Sequence, residues 1–152
     1  MPRAKQRDAG GLTFFIDECI KSVLIEAALH RLKAKLDRVE VAKKGTLDED
    51  WLRQAGSEGW ICFSRDRRML RRPNELNAIK YYDVALFTLD DGTGPEHARL
   101  IVDARLVIRR AAHELRRAFV ARIEPNAILS VLLERGVWLP RARRMRPLKG
   151  ER

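Results

Sequence analysis

Residues 60–73 read Trp60-Ile61-Cys62-Phe63-Ser64-Arg65-Asp66-Arg67-Arg68-Met69-Leu70-Arg71-Arg72-Pro73 (WICFSRDRRMLRRP). Four apolar residues run into a hydroxyl and a carboxylate, and five arginines surround that carboxylate. An uninterrupted apolar run suits a parallel strand whose two faces are both covered by helices. The polar residues begin at its carboxyl end, where open α/β sheets gather ligands. The stretch therefore implies a sheet type and a site together.

Reading outward, residues 12–16 (LTFFI) form a second buried strand, which ends at Asp17-Glu18. From Ile20 to Leu36 the apolar positions Ile20, Val23, Leu24, Ala27, Ala28, Leu32 and Leu36 follow helical spacing. Val39-Glu40-Val41 is a brief strand. Gly45-Thr46 opens a helix in which Thr46 and Glu49 make a capping box, Trp51, Leu52 and Ala55 face inward, and Gly56 or Gly59 ends the run. Pro73 starts a short helix through Ile79, and Val84–Leu89 is a strand followed by the turn-rich Asp90–Pro95. This alternation predicts an α/β fold with a mainly parallel sheet.

Beyond Pro95 the pattern changes. It predicts one long helix over 96–122 carrying Arg105, Arg109, Arg110, Arg116, Arg117 and Arg122, then a shorter helix over 125–135. The last twelve residues hold six Lys or Arg and read as a mobile tail. The organisation expected is a basic extension over 1–11, an α/β core over 12–94, C-terminal helices over 95–138 and a basic tail over 139–152.

Composition narrows the function. The 152 residues fit a single core, and a formal net charge of +10 attracts polyanions and makes nucleic acid the first partner to consider. No apolar run approaches the roughly 18 residues of a membrane span. The N-terminus lacks the apolar region of a signal peptide, so no membrane and a cytoplasmic location are expected. Cys19 and Cys62 show neither disulfide nor zinc spacing and read as buried thiols, without a sequence-local histidine to activate either. His30, His97 and His113 are scattered. Gly92-Thr93-Gly94 is too short for a phosphate loop and has no following lysine. Trp51, Trp60 and Trp138 could stack on bases, but Trp51 and Trp60 lie in core-patterned segments and are better explained by packing.

The acids carry the chemistry. Asp17 and Glu18 follow the first strand, Asp66 follows WICF, and Asp48-Glu49-Asp50 at a helix start can approach the same edge. Converging acids in a basic protein repel unless a cation holds them, and Mg²⁺ takes oxygen ligands while keeping several waters. Such an ion activates a water and neutralises charge on a phosphodiester. Ser64 would orient Asp66 or touch substrate, and Arg65, Arg67, Arg68, Arg71 and Arg72 would hold a phosphate backbone. The competing account has Asp48–Asp50 complementing a helix dipole, Asp66 capping a turn and the arginines solvated. Asp17 resists that account, because a carboxylate ending a buried strand is costly without a partner.

FFIDEC, TLDEDWL and GWICFSRDRRMLRRPNEL together resemble the PIN-like domain superfamily, and more narrowly the compact PIN-like toxins of bacterial toxin–antitoxin modules. The resemblance spans about residues 12–92, with Ser64, Asp66, the arginines, Pro73, Glu75, Leu76 and the strand VALFTL in order. It implies a three-layer α/β/α fold and a Mg²⁺- or Mn²⁺-dependent endoribonuclease. Asp17, Asp48 and Asp66 would be its metal ligands and catalytic residues, with Glu18, Asp50 and Ser64 supporting them. It also implies a cognate antitoxin protein covering the acidic edge. The second acid stays open among Asp48, Glu49 and Asp50, and a fourth among Glu75, Asp83, Asp90 and Asp91. A homodimer through Leu100, Val107, Ala111 and Leu115 competes with packing of that helix on its own sheet. Two other classes compete: a receiver-like domain, for which VALFTLDDG lacks the lysine, and a non-catalytic RNA- or partner-binding module with a degenerate metal site.

Overall fold

In the computed structural model, which describes residues 11–17, 19, 23–32, 37–43, 45, 47–65 and 67–151, seven strands form one sheet. β1 (Thr13–Ile16), β2 (Arg38–Val41), β3 (Ile61–Ser64), β4 (Ala85–Thr88) and β5 (Phe119–Glu124) are mutually parallel. β6 (Ile128–Glu134) and β7 (Val137–Met145) continue the sheet antiparallel, giving the order β2-β1-β3-β4-β5-β6-β7. The readings that rest on residues 1–10, Glu18, Ile20, Lys21, residues 33–36, Thr46, Asp66 and Arg152 lie outside the described residues, as do the side chains of Leu32 and Arg67.

The helices are α1 (Val23–Leu32), α2 (Asp48–Glu58), α3 (Pro73–Tyr81), α4 (Gly94–Asp103) and α5 (Arg105–Glu114), with a 3₁₀ turn at Arg67–Arg71. Strand side chains alternate between faces. Phe14, Ile16, Ile61, Phe63 and Phe87 pack on one side with Ile25, Leu29, Ile101, Val107 and Ile108. Phe15, Cys62 and Leu86 pack on the other with Trp51, Leu52, Met69 and Ile79. Both faces of the central strands are covered, which is why they read as unbroken apolar runs. Each fully buried phenylalanine contributes roughly 1.5–3 kcal/mol. Phe15 stacks against Trp51 at 5.2 Å and Trp60 at 5.5 Å between ring centroids, so these two indoles are packing residues. Gly56 brings α2 hard against the end of α3, since a Cβ there would stand 2.3 Å from the Tyr82 carbonyl oxygen.

The C-terminal half departs from expectation. The helix expected over 96–122 breaks at Ala104 and ends at Glu114, and Phe119–Glu124 is the strand that pairs with β4. The helix expected over 125–135 is instead the β6 arm of a hairpin, so the extension is not purely helical. Leu129, Leu132 and Leu133 have helical spacing, but Leu129, Val131 and Leu133 alternate and are the buried set. The basic tail also contributes structure, because Val137–Met145 is the edge strand β7. Pro140 fits there, where no neighbour needs its missing N–H, and the arginines of β7 discourage further pairing. Arg135 and Gly136 both have positive φ (55° and 73°), as a two-residue hairpin turn between right-twisted strands requires. Leu47 is the N-cap of α2, without a side-chain bond. No helix among the described residues is long and apolar enough to cross a membrane.

Several arginines assigned to the long helix are structural. Arg117 donates to the carbonyls of Trp60 and Gly59, and Arg110 bonds Glu151 and the Arg146 carbonyl. Arg109 donates to Asp37 Oδ2 at 2.5 Å, while Asp37 Oδ1 accepts the Leu12 amide at 2.8 Å. Asp37 thus ties α5 to the start of β1. Replacing Asp37 by Ala removes an acceptor from both donors and is expected to lower unfolding free energy in urea by about 3 kcal/mol, with Asp37→Asn losing less.

Candidate active site at the carboxyl edge of the sheet

The chain leaves β1 toward β2 on one side and reaches β3 on the other, so the crevice beyond β1 and β3 is the switch point of the sheet. Asp17 stands there. Its amide continues the ladder by donating to the Phe63 carbonyl at 3.0 Å, which fixes the carboxylate opposite Ser64. The Ser64 hydroxyl donates to Asp17 Oδ2 at 2.7 Å, and the Cys19 thiol donates to the same oxygen at 3.2 Å. Asp17 is only 5% exposed. Both donors reach Oδ2, and among the described residues none reaches Oδ1. Ser64 therefore orients Asp17; its expected support of Asp66 lies outside the described residues.

The neighbouring strands extend this polar level. Ser64 is in register with Thr88, Thr88 with Arg122, and Arg122 with Ser130. A row of polar residues thus crosses the sheet. The Thr88 hydroxyl and the Arg122 Nε are buried without a partner among the described residues.

Asp48 starts α2, where the helix dipole favours a carboxylate. Its Oδ1 accepts the Trp51 indole N–H at 3.0 Å, and its Oδ2 faces Arg72 Nη1 at 3.4 Å. The second contact is long for a hydrogen bond. Arg72 also meets Glu75 Oε1 at 3.4 Å. Asp50 is solvated and faces Arg53 at 3.7 Å. Of the four residues considered for a further acid, Asp91 lines a groove together with Cys19, Arg65, Arg68 and Arg71. Among the described residues no three acids, histidines or cysteines converge as a metal-binding group. Asp66, the third acid expected there, lies outside the described residues.

Burial raises the Cys19 pKa, the Asp17 charge adds to it, and the Ser64 hydroxyl partly offsets both. Burial pushes the Cys62 thiol up to about 12. Both are protonated at neutral pH, which suits Cys19 as a donor to Asp17 and neither as a nucleophile. Iodoacetamide at pH 8 should modify Cys19 more slowly than free cysteine and leave Cys62 untouched until urea unfolds the chain; peptide mass mapping reads both. What sequence reasoning missed is Arg122, since a residue assigned to a helix could not be placed in register with Ser64 and Thr88.

A family model described as a PIN like domain matches residues 12–91. Comparison with curated proteins and with solved structures found no match.

Proposed function

The chain belongs to the PIN-like domain family, whose members are in general metal-dependent nucleases, and from that premise we propose that it is a divalent-metal-dependent endoribonuclease. The observation that carries this is Asp17. A buried carboxylate follows the end of β1 and is aligned by Ser64 and Cys19 through one oxygen, and Cys19 in turn lines an arginine-lined groove. Its oxygen chemistry fits a hard cation such as Mg²⁺ or Mn²⁺. Asp17, Asp48 and Asp66 would hold the ion, which supplies an activated water and charge neutralisation when bound. Ser64 holds the Asp17 carboxylate in place, and the groove arginines bind the phosphates. Arg72, placed between Asp48 and Glu75, keeps the second acid from repelling its neighbours.

On the same reading the protein is the toxin of a toxin–antitoxin pair in the cytoplasm, restrained by an antitoxin that covers the acidic edge. The support is the ordered resemblance of FFIDEC, TLDEDWL and GWICFSRDRRMLRRPNEL. One observation favours a second reading, a non-catalytic RNA-binding module: both Asp48 oxygens already face donors. Cleavage of labelled RNAs with Mg²⁺, Mn²⁺ or EDTA separates the two. Metal-dependent cutting is expected, falling at least about 100-fold in Asp17→Asn and in Asp66→Asn, a loss that even an outer-shell partner of a metal can cause. RNA affinity should survive both substitutions. Salt-sensitive binding without cutting under either metal would select the module instead.

A further inference from the structure

The groove beside Asp17 is walled partly by residues that lie beyond the family match. It has a volume of about 790 Å³, within the range of built ligand sites. Cys19, which bonds Asp17, lines one part of it. Arg65, Arg68 and Arg71, from the segment after β3, form one side. Arg122 of β5, Leu132 of β6 and Trp138 of β7 also line it. The last three fall outside residues 12–91.

Three features define an occupant. Among the described residues four arginines and one acid, Asp91, line the groove, a balance that favours an anion. Arg122 gives Nη2 to Glu124 at 3.2 Å, and its side chain, 30% exposed, lines the groove, so the accessible part of the guanidinium can meet an anionic oxygen. Trp138 is 43% exposed on an edge strand, where packing gives no reason for an indole, and it lines the same groove as the arginines. Cations beside an exposed aromatic are the elements of single-strand recognition, in which phosphates meet the charges and a base stacks on the ring.

We propose that the C-terminal hairpin is a substrate-reading wall: single-stranded RNA lies in this groove with one base stacked on Trp138 and an adjacent phosphate on Arg122. This deepens the nuclease reading and rests on it for the choice of RNA as the strand. Trp138 and Arg122 are binding and positioning residues here, not metal ligands. The hairpin would set where a strand sits relative to Asp17, and so which bond is presented.

The test is fluorescence anisotropy of the full-length protein in EDTA. The probes are a labelled 12-nucleotide oligouridylate and an abasic ribose-phosphate oligomer of equal length. The oligouridylate is expected to bind about tenfold more tightly. Trp138→Ala should erase that difference while leaving the abasic affinity unchanged, and Trp138→Phe should retain most of it. Arg122→Gln should weaken both probes alike and lower the salt slope by about one. Thermal melts of each variant check folding, and the exposed Trp138 side chain is not expected to move the midpoint. Equal affinity of the wild type for both probes overturns the proposal, as does an unchanged oligouridylate affinity in Trp138→Ala. So does displacement of RNA by polyglutamate with the same dependence on Trp138, which would identify an acidic peptide as the occupant. Because these measurements need no metal, base-dependent binding without any cleavage in Mg²⁺ would count against the nuclease reading and leave the groove assignment standing.

Discussion

The pairing of β1 with β3 is the constraint on which the rest depends. β1 is buried on both faces, with Phe14 and Ile16 toward one layer of helices and Phe15 toward the other. A strand so placed cannot tolerate a charge along its length. The first carboxylate is therefore admitted only where the ladder ends, at Asp17, whose amide still pairs with β3 through Phe63. Since β2 and β3 flank β1, that end opens on the crevice of the sheet. The same register sets Ser64 against Asp17, and the hydroxyl bond follows from it.

The cysteine and the arginines have their places through this geometry. Cys19 could have served as a nucleophile in other surroundings. Here burial and the neighbouring carboxylate keep it a thiol, and it becomes a second donor to Asp17. Positive charge is divided between two tasks. Arg109, Arg110 and Arg117 hold the fold by binding Asp37, Glu151 and backbone carbonyls. Arg65, Arg68, Arg71 and Arg122 line the groove. The net charge of +10 is therefore a poor guide to any single arginine, because it sums both groups.

Much of the parallel core was legible in the sequence. LTFFI, WICF and VALFTL are short, apolar and bounded by polar or turn residues, and the three strands fall within or next to them. α3 begins at Pro73 as its fixed φ favours. The C-terminal half was not legible, for a physical reason. In residues 128–134 (ILSVLLE) the leucines satisfy a helical period and the Leu129-Val131-Leu133 set satisfies a strand period. Local spacing cannot choose between them. β5 decides, because it pairs with β4 on one edge and needs a partner on the other.

For the candidate site, the sequence by itself determined the inventory. A carboxylate ends one strand, a hydroxyl ends the next, an acidic helix start follows the second strand, and arginines crowd the third. These calls need only the local apolar runs and the rule that sheets bind ligands at strand ends. What only the tertiary structure decided is adjacency. Ser64 touches Asp17 because β3 lies beside β1, and Arg122 joins their row because β5 lies beside β4. Trp138 reaches the groove because the hairpin folds back along the sheet edge. Contacts between residues 47 or more positions apart, as for Asp17 and Ser64, arise from strand pairing and core burial. Those are properties of the assembled sheet and are written in no local stretch of the chain.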